Sequence, residues 1–235
     1  MVEQGGPRIE EVLAEFLEEQ RRRLRPSTFR RYEEVVELFE HCLDNYGYQF
    51  LEEDESALYE KLSREKGVEF CAVFGPEKIP DCVNEFLSYF MVRKVLCGKD
   101  LLRTSGTVMK RLAAWLAEKG YISQEDAALM AETAREAVRE LPRGRDVQEL
   151  LAEYVEAHPA PAGEDFIEDL FKVEKVEPGK LYLSGGGVSG REETFVVPVP
   201  PEVSARCRAG WQVTLGLVKT RRGWRISWVG TVYPL

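Results

Sequence analysis

"AEYVEAHPAPAGEDFIEDLFKVEKV", residues 152–176, holds the point at which the hydrophobic pattern changes period. Before it, apolar residues recur at helical spacing. After it, they fall into short β-rich runs. At its centre "HPAPAG" (158–163) sets two prolines and a glycine among small residues, the composition of a linker. The charge changes at the same place. Residues 166–235 carry 10 Lys+Arg against 7 Asp+Glu, a net of +3. Residues 1–165 carry 22 against 34, a net of −12. These shifts predict an α+β protein with a helical domain over 1–157, a linker over 158–165 and a small antiparallel β-barrel or curled sheet over 166–235.

Working back from the break, the apolar stripes are helical. Ile9, Val12, Leu13, Phe16 and Leu17 follow i, i+3, i+4, i+7, i+8 spacing, as do Tyr32, Val35, Val36, Phe39 and Leu43. Pro80 suits the first turn of a helix bearing Val83, Phe86, Leu87, Phe90 and Met91. Val108, Leu112, Trp115 and Leu116 form another stripe. Ser123 and Asp126 make a capping pair ahead of Ala127, Met130, Ala134 and Val138. Asp146 is placed to cap a separate last helix carrying Val147, Leu150, Leu151 and Tyr154. Two helices end alike, in "NYGY" and "EKGY", so Gly47 and Gly120 are expected as left-handed stops with Tyr48 and Tyr121 packing back. About seven helices result.

Beyond the break, "FKVEKV", "KLYLS", "EETFVVPV", "WQVTLGLV" and "WRISWVG" are separated by "EPG", "GGGVSG", "RAG" and "RRG". Five strands in so short a segment favour a closed or curled sheet, because closure hides strand edges. Trp211, Val213, Leu215 and Leu217 alternate, as do Trp224, Ile226 and Trp228, which places the last three on one face. A core role is expected for two of these three tryptophans.

Composition narrows the function. A net charge of −9 with 31% charged residues predicts a soluble chain. No run of about 18 apolar residues suggests a membrane span. The acidic "MVEQGGPRIEEVL" start does not resemble a signal peptide. Five scattered cysteines (Cys42, Cys71, Cys82, Cys97, Cys207) read as reduced thiols of a cytoplasmic protein. Two histidines, His41 and His158, leave little for a metal site. No phosphate loop, G-x-S-x-G, H-E-x-x-H or H-x-E motif occurs. "SGGGVSG" (184–190) joins two strands and lacks the helix start that cradles phosphate. Neither a catalytic residue, a metal ligand nor a cofactor is expected.

The basic residues are concentrated. Arg21, Arg22, Arg23, Arg25, Arg30 and Arg31 surround the start of the second helix, where Ser27 and Thr28 add hydroxyls. "KDLLRTSGTVMKRL" (99–112) repeats that makeup with Arg103, Thr107, Lys110 and Arg111 around a second helix start. Helix entrances combine free N–H donors with a positive dipole end, a means of holding DNA phosphates without reading bases. The competing expectation is that nearby glutamates, Glu18, Glu19 and Glu33, neutralise these arginines in surface pairs. Arg221 and Arg222 at a hairpin tip complete the candidate contacts.

"FLEEQRRRLRPSTFRRYEEVVELFEHCLDNYG" resembles the opening of the core-binding, SAM-like helical domain of tyrosine recombinases and phage integrases. Pro26, Thr28, Tyr32 and Phe39 carry the likeness. "TVMKRLAAWLAEKGYIS" resembles that domain's last helix through Trp115, Leu116, Gly120, Tyr121 and Ile122. The resemblance spans roughly Ile9 to Ser123, with a non-matching insert between Leu51 and Pro80. It implies a helical clamp on DNA with contacts from Arg25, Ser27, Thr28, Arg31, Thr107, Lys110 and Arg111. The recombinase H-x-x-R is missing at both histidines, so cleavage and strand transfer are not implied. The leading expectation is a non-catalytic, DNA-associated accessory or regulatory protein. The alternative is a protein–protein adaptor whose acidic helical domain binds a basic partner and whose β module binds a peptide.

Overall fold

The computed structural model describes residues 6–160, 165–186 and 192–235. Its contacts divide the chain into two compact units, Met1–Val138 and Arg139–Leu235. The division falls inside a helix and not at the 158–165 segment, of which residues 161–164 lie outside the described residues.

In the first unit, α1 (Ile9–Arg23) and α2 (Pro26–Tyr46) bury the apolar stripes read from the sequence. The Glu11 carboxylate accepts the Arg8 N–H at 2.7 Å and closes the entrance of α1. α3 (Glu53–Lys66), α4 (Phe70–Val73) and α5 (Ile79–Glu85) follow. α3 belongs to the insert and buries no residue; its Tyr59 meets the rings of Phe70 and Phe74, each at 5.8 Å. After α5 the chain widens into a π-helix, Phe86–Lys94, whose Phe86 ring meets Phe39 at 5.0 Å. α6 (Lys99–Lys119) and the long α7 (Gln124–Ala157) follow. Ser123 caps α7 as expected, its hydroxyl accepting the Asp126 N–H at 3.0 Å.

The two Gly-Tyr stops diverge. Gly120 is left-handed at φ 76°, and the Tyr121 N–H closes the turn on Leu116 O at 2.9 Å. Gly47 is right-handed at φ −56° and opens a 3-10 turn, while Tyr48 is half exposed. Glycine is needed at 47 for space: a Cβ there would stand 2.8 Å from the Phe70 ring.

No separate last helix starts at Asp146. α7 continues through Pro142, and Asp146 lies within it. The second half of α7 buries Val147 and Leu151 in the core of the sheet unit, and that packing outweighs the local breaker signal.

The second unit is a five-stranded antiparallel sheet in the order β3-β2-β1-β4-β5, formed by β1 (Phe166–Glu177), β2 (Lys180–Gly186), β3 (Glu192–Pro198), β4 (Gln212–Thr220) and β5 (Gly223–Tyr233). Pro178 and Gly179, the latter at φ 76°, turn β1 into β2. A short helix not expected from the sequence, α8 (Pro201–Arg206), separates β3 from β4. The sheet curls until the Phe195 ring on β3 meets Trp224 on β5 at 5.2 Å. No ladder joins those edge strands, so the sheet is curled and not a closed barrel.

Candidate nucleic-acid interface

The α2 entrance has the form expected. Arg25 is the N-cap residue in extended conformation, and its carbonyl accepts the N–H of Thr28 at 3.0 Å and of Phe29 at 2.9 Å. Pro26 occupies the first helical position, where its missing N–H costs nothing. Arg25, Ser27, Thr28, Arg30 and Arg31 are all exposed, while Phe29 anchors the turn in the core.

The second cluster differs from its expectation. α6 starts at Lys99, so Thr107, Lys110 and Arg111 lie in the body of the helix and not at its entrance. Their spacing from Arg103, at i+4, i+7 and i+8, puts them on one outward stripe. The hydroxyls point elsewhere. Thr104 and Thr107 donate to the carbonyls of Asp100 (2.7 Å) and Arg103 (3.1 Å), and buried Ser105 donates to Leu102 O at 2.8 Å. Gly106 faces inward, where a Cβ would stand 2.7 Å from the Ala134 carbonyl oxygen of α7.

α2 and α6 pack together within this unit. Arg31 and Glu34 of α2 line one surface depression with Gly98, Asp100, Leu101 and Thr104. Deeper along the same pair, burial pushes the Tyr32 phenol above its ordinary range, while the charges of Arg111 and Arg23 pull against that shift. Tyr32 of α2 therefore lies within reach of a cation from α1, Arg23, and one from α6, Arg111. Arg21 and Arg23 belong to the basic entrance expected from the sequence, which assigns them no contact role.

Carboxylates pair with part of this face, and the charge of Arg23 acts on Glu19. Arg22 pairs with Glu18 at 2.9 Å and Arg103 with Asp100 at 3.6 Å. Among the described residues Arg21, Arg23, Arg25, Arg30, Arg31, Lys110 and Arg111 have no carboxylate oxygen within 4.0 Å. Two glutamates of α1 are engaged near the other end of α6. Glu15 accepts from Tyr121 Oη at 2.6 Å and Lys119 Nζ at 2.9 Å; Glu19 accepts from Trp115 Nε1 at 2.8 Å and also from Lys119.

Arg221 and Arg222 lie exposed at the β4–β5 hairpin tip of the other unit, where the Arg222 N–H donates to Thr220 Oγ1 at 3.2 Å. Trp211 is buried and Trp224 half-buried, but Trp228 is 44% exposed. The alternation fails at a bulge: Leu217 pairs with Ile226 and Gly216 with Trp228, leaving Ser227 extra and turning Trp228 to the outer face. Glycines inside both strands, Gly216 and Gly230, were the available signal.

His41 is exposed on α2, and burial raises the thiol of its neighbour Cys42 above its usual range. That pair has no activated nucleophile. Comparisons with protein-family models, curated proteins and solved structures gave no match.

Proposed function

We propose that the chain is a non-catalytic, DNA-associated accessory or regulatory protein of the cytoplasm, and that its helical unit grips the phosphate backbone through the α2 entrance and the outward stripe of α6. The observation that carries this reading is the group of seven cations with no carboxylate within 4.0 Å among the described residues. The resemblance of Ile9–Ser123 to a recombinase core-binding domain supports the same surface. Acidic residues also stand close by, with Glu34 and Asp100 lining the depression that holds Arg31. Screening acts over about 8 Å at physiological salt, so a phosphate at contact feels the adjacent guanidinium groups more than distant glutamates.

Anisotropy titration of a labelled duplex tests the proposal. Five phosphate contacts, from Arg25, Arg30, Arg31, Lys110 and Arg111, predict an affinity loss of roughly 500-fold between about 50 and about 200 mM salt. Absence of binding at low salt rejects this reading and leaves the protein–protein adaptor.

A further inference from the structure

The outer face of the sheet carries an arrangement that the phosphate-binding proposal does not use. Phe166 on β1 is 57% exposed and Trp228 on β5 is 44% exposed. They flank Gly216 on the intervening strand. A Cβ at Gly216 would stand 3.1 Å from the Phe166 ring and 3.1 Å from Trp228 Cβ. A Cβ at Gly230 would stand 2.7 Å from Trp228 Cη2. The two glycines thus let both rings lie down on the backbone, leaving the opposite faces to solvent. Glu168 shares the cross-strand row Glu168–Gly216–Trp228 and stands between Phe166 and Leu170 on β1. Glu168 is exposed and makes no ion pair or hydrogen bond among the described residues. The cation in the neighbouring row, Arg225, donates instead to Tyr154 Oη at 3.4 Å.

We propose that this face docks an arginine side chain presented by a basic segment of a partner protein. Aromatic faces carry the negative lobe of the ring quadrupole and attract cations. A guanidinium can stack on the indole while its N–H fork meets the Glu168 carboxylate. Charge complementarity selects this occupant. The phosphates of a single-stranded nucleic acid would meet an unpaired carboxylate beside the stacking rings. A purely apolar partner would bury that carboxylate without a counter-ion, which is costly. The proposal concerns the sheet unit alone and is independent of duplex binding by the helical unit.

The test follows the Trp228 indole N–H resonance in the full-length protein, so attraction of cations to acidic surfaces elsewhere is not counted. A short oligoarginine peptide, an oligoglutamate peptide and a single-stranded oligothymidylate are titrated separately. The expected result is a saturable shift with oligoarginine and none with oligoglutamate. Glu168→Gln, an exposed substitution, should weaken oligoarginine binding about three- to fivefold. Gly230→Ala, which props the indole off the strand, should weaken it as well. An unmoved resonance with oligoarginine overturns the proposal. So does affinity unchanged in Glu168→Gln, or a shift driven more strongly by oligothymidylate.

Discussion

Glu15 and Glu19 gain hydrogen-bond partners distant in sequence when the helical unit folds. The Tyr121 hydroxyl, then the Lys119 ammonium, hold the Glu15 carboxyl below its ordinary range; Lys119, then the Trp115 indole, do the same for Glu19. Both folded pKa values lie below the unfolded ones, so the unfolded chain binds more protons as the solution is acidified. The stabilisation is complete above the ordinary carboxylate range and disappears as pH falls through the lowered values. Urea midpoints measured against pH should therefore drop on the acid side, and Glu15→Gln/Glu19→Gln should flatten that drop. The thiols give a second expectation. Cys42, Cys71, Cys82 and Cys207 are buried, and burial raises each thiol, Cys82 to about 12 and Cys207 to about 11. A thiol-reactive dye should label only half-buried Cys97 quickly, with the other four reacting after denaturation. At this scale the sequence was informative where the interaction is local. The Ser123–Asp126 cap and the Gly120 stop were legible. Gly47 was misread, because the reason for glycine there is the Phe70 ring, 23 positions away.

Helices and strands were legible through their periodicity, and some of their ends and faces were not. The stripe Val108, Leu112, Trp115 and Leu116 predicted α6, and all four are buried. The continuity of α7 through Pro142 was not visible locally. It rests on packing at both sides of the proline, such as Gly144, where a Cβ would stand 2.8 Å from the Pro234 ring. On β5 a single extra residue at Ser227 reversed the facing of Trp228, since register errors act on every side chain that follows. The crossing of α6 on α7 offers a direct check. Gly106→Leu should destabilise by about 2–3 kcal/mol through overpacking against the Ala134 backbone. Gly6→Ala, exposed and outside every helix and strand with nothing within 4 Å of the added methyl, serves as a control near zero. Chemical denaturation compares the two.

For the whole molecule, composition indicated two kinds of structure and an uneven charge. The Met1–Val138 and Arg139–Leu235 units divide within α7 because the last turns of that helix supply core to the sheet. Charge totals alone argue against DNA binding by an acidic helical region. Tertiary placement alters that balance, drawing Glu15 and Glu19 to Lys119 and leaving Arg25, Arg31 and Lys110 without carboxylate partners among the described residues. None of this pairing can be read from linear spacing. The most direct test is the dependence of duplex affinity on salt, measured for the native chain and for Arg25→Ala/Arg31→Ala/Lys110→Ala. Five phosphate contacts predict a log–log slope of about −4.5, reduced to about −2 when three are removed. Equal slopes for the two proteins, or no measurable duplex binding by either, would contradict the account.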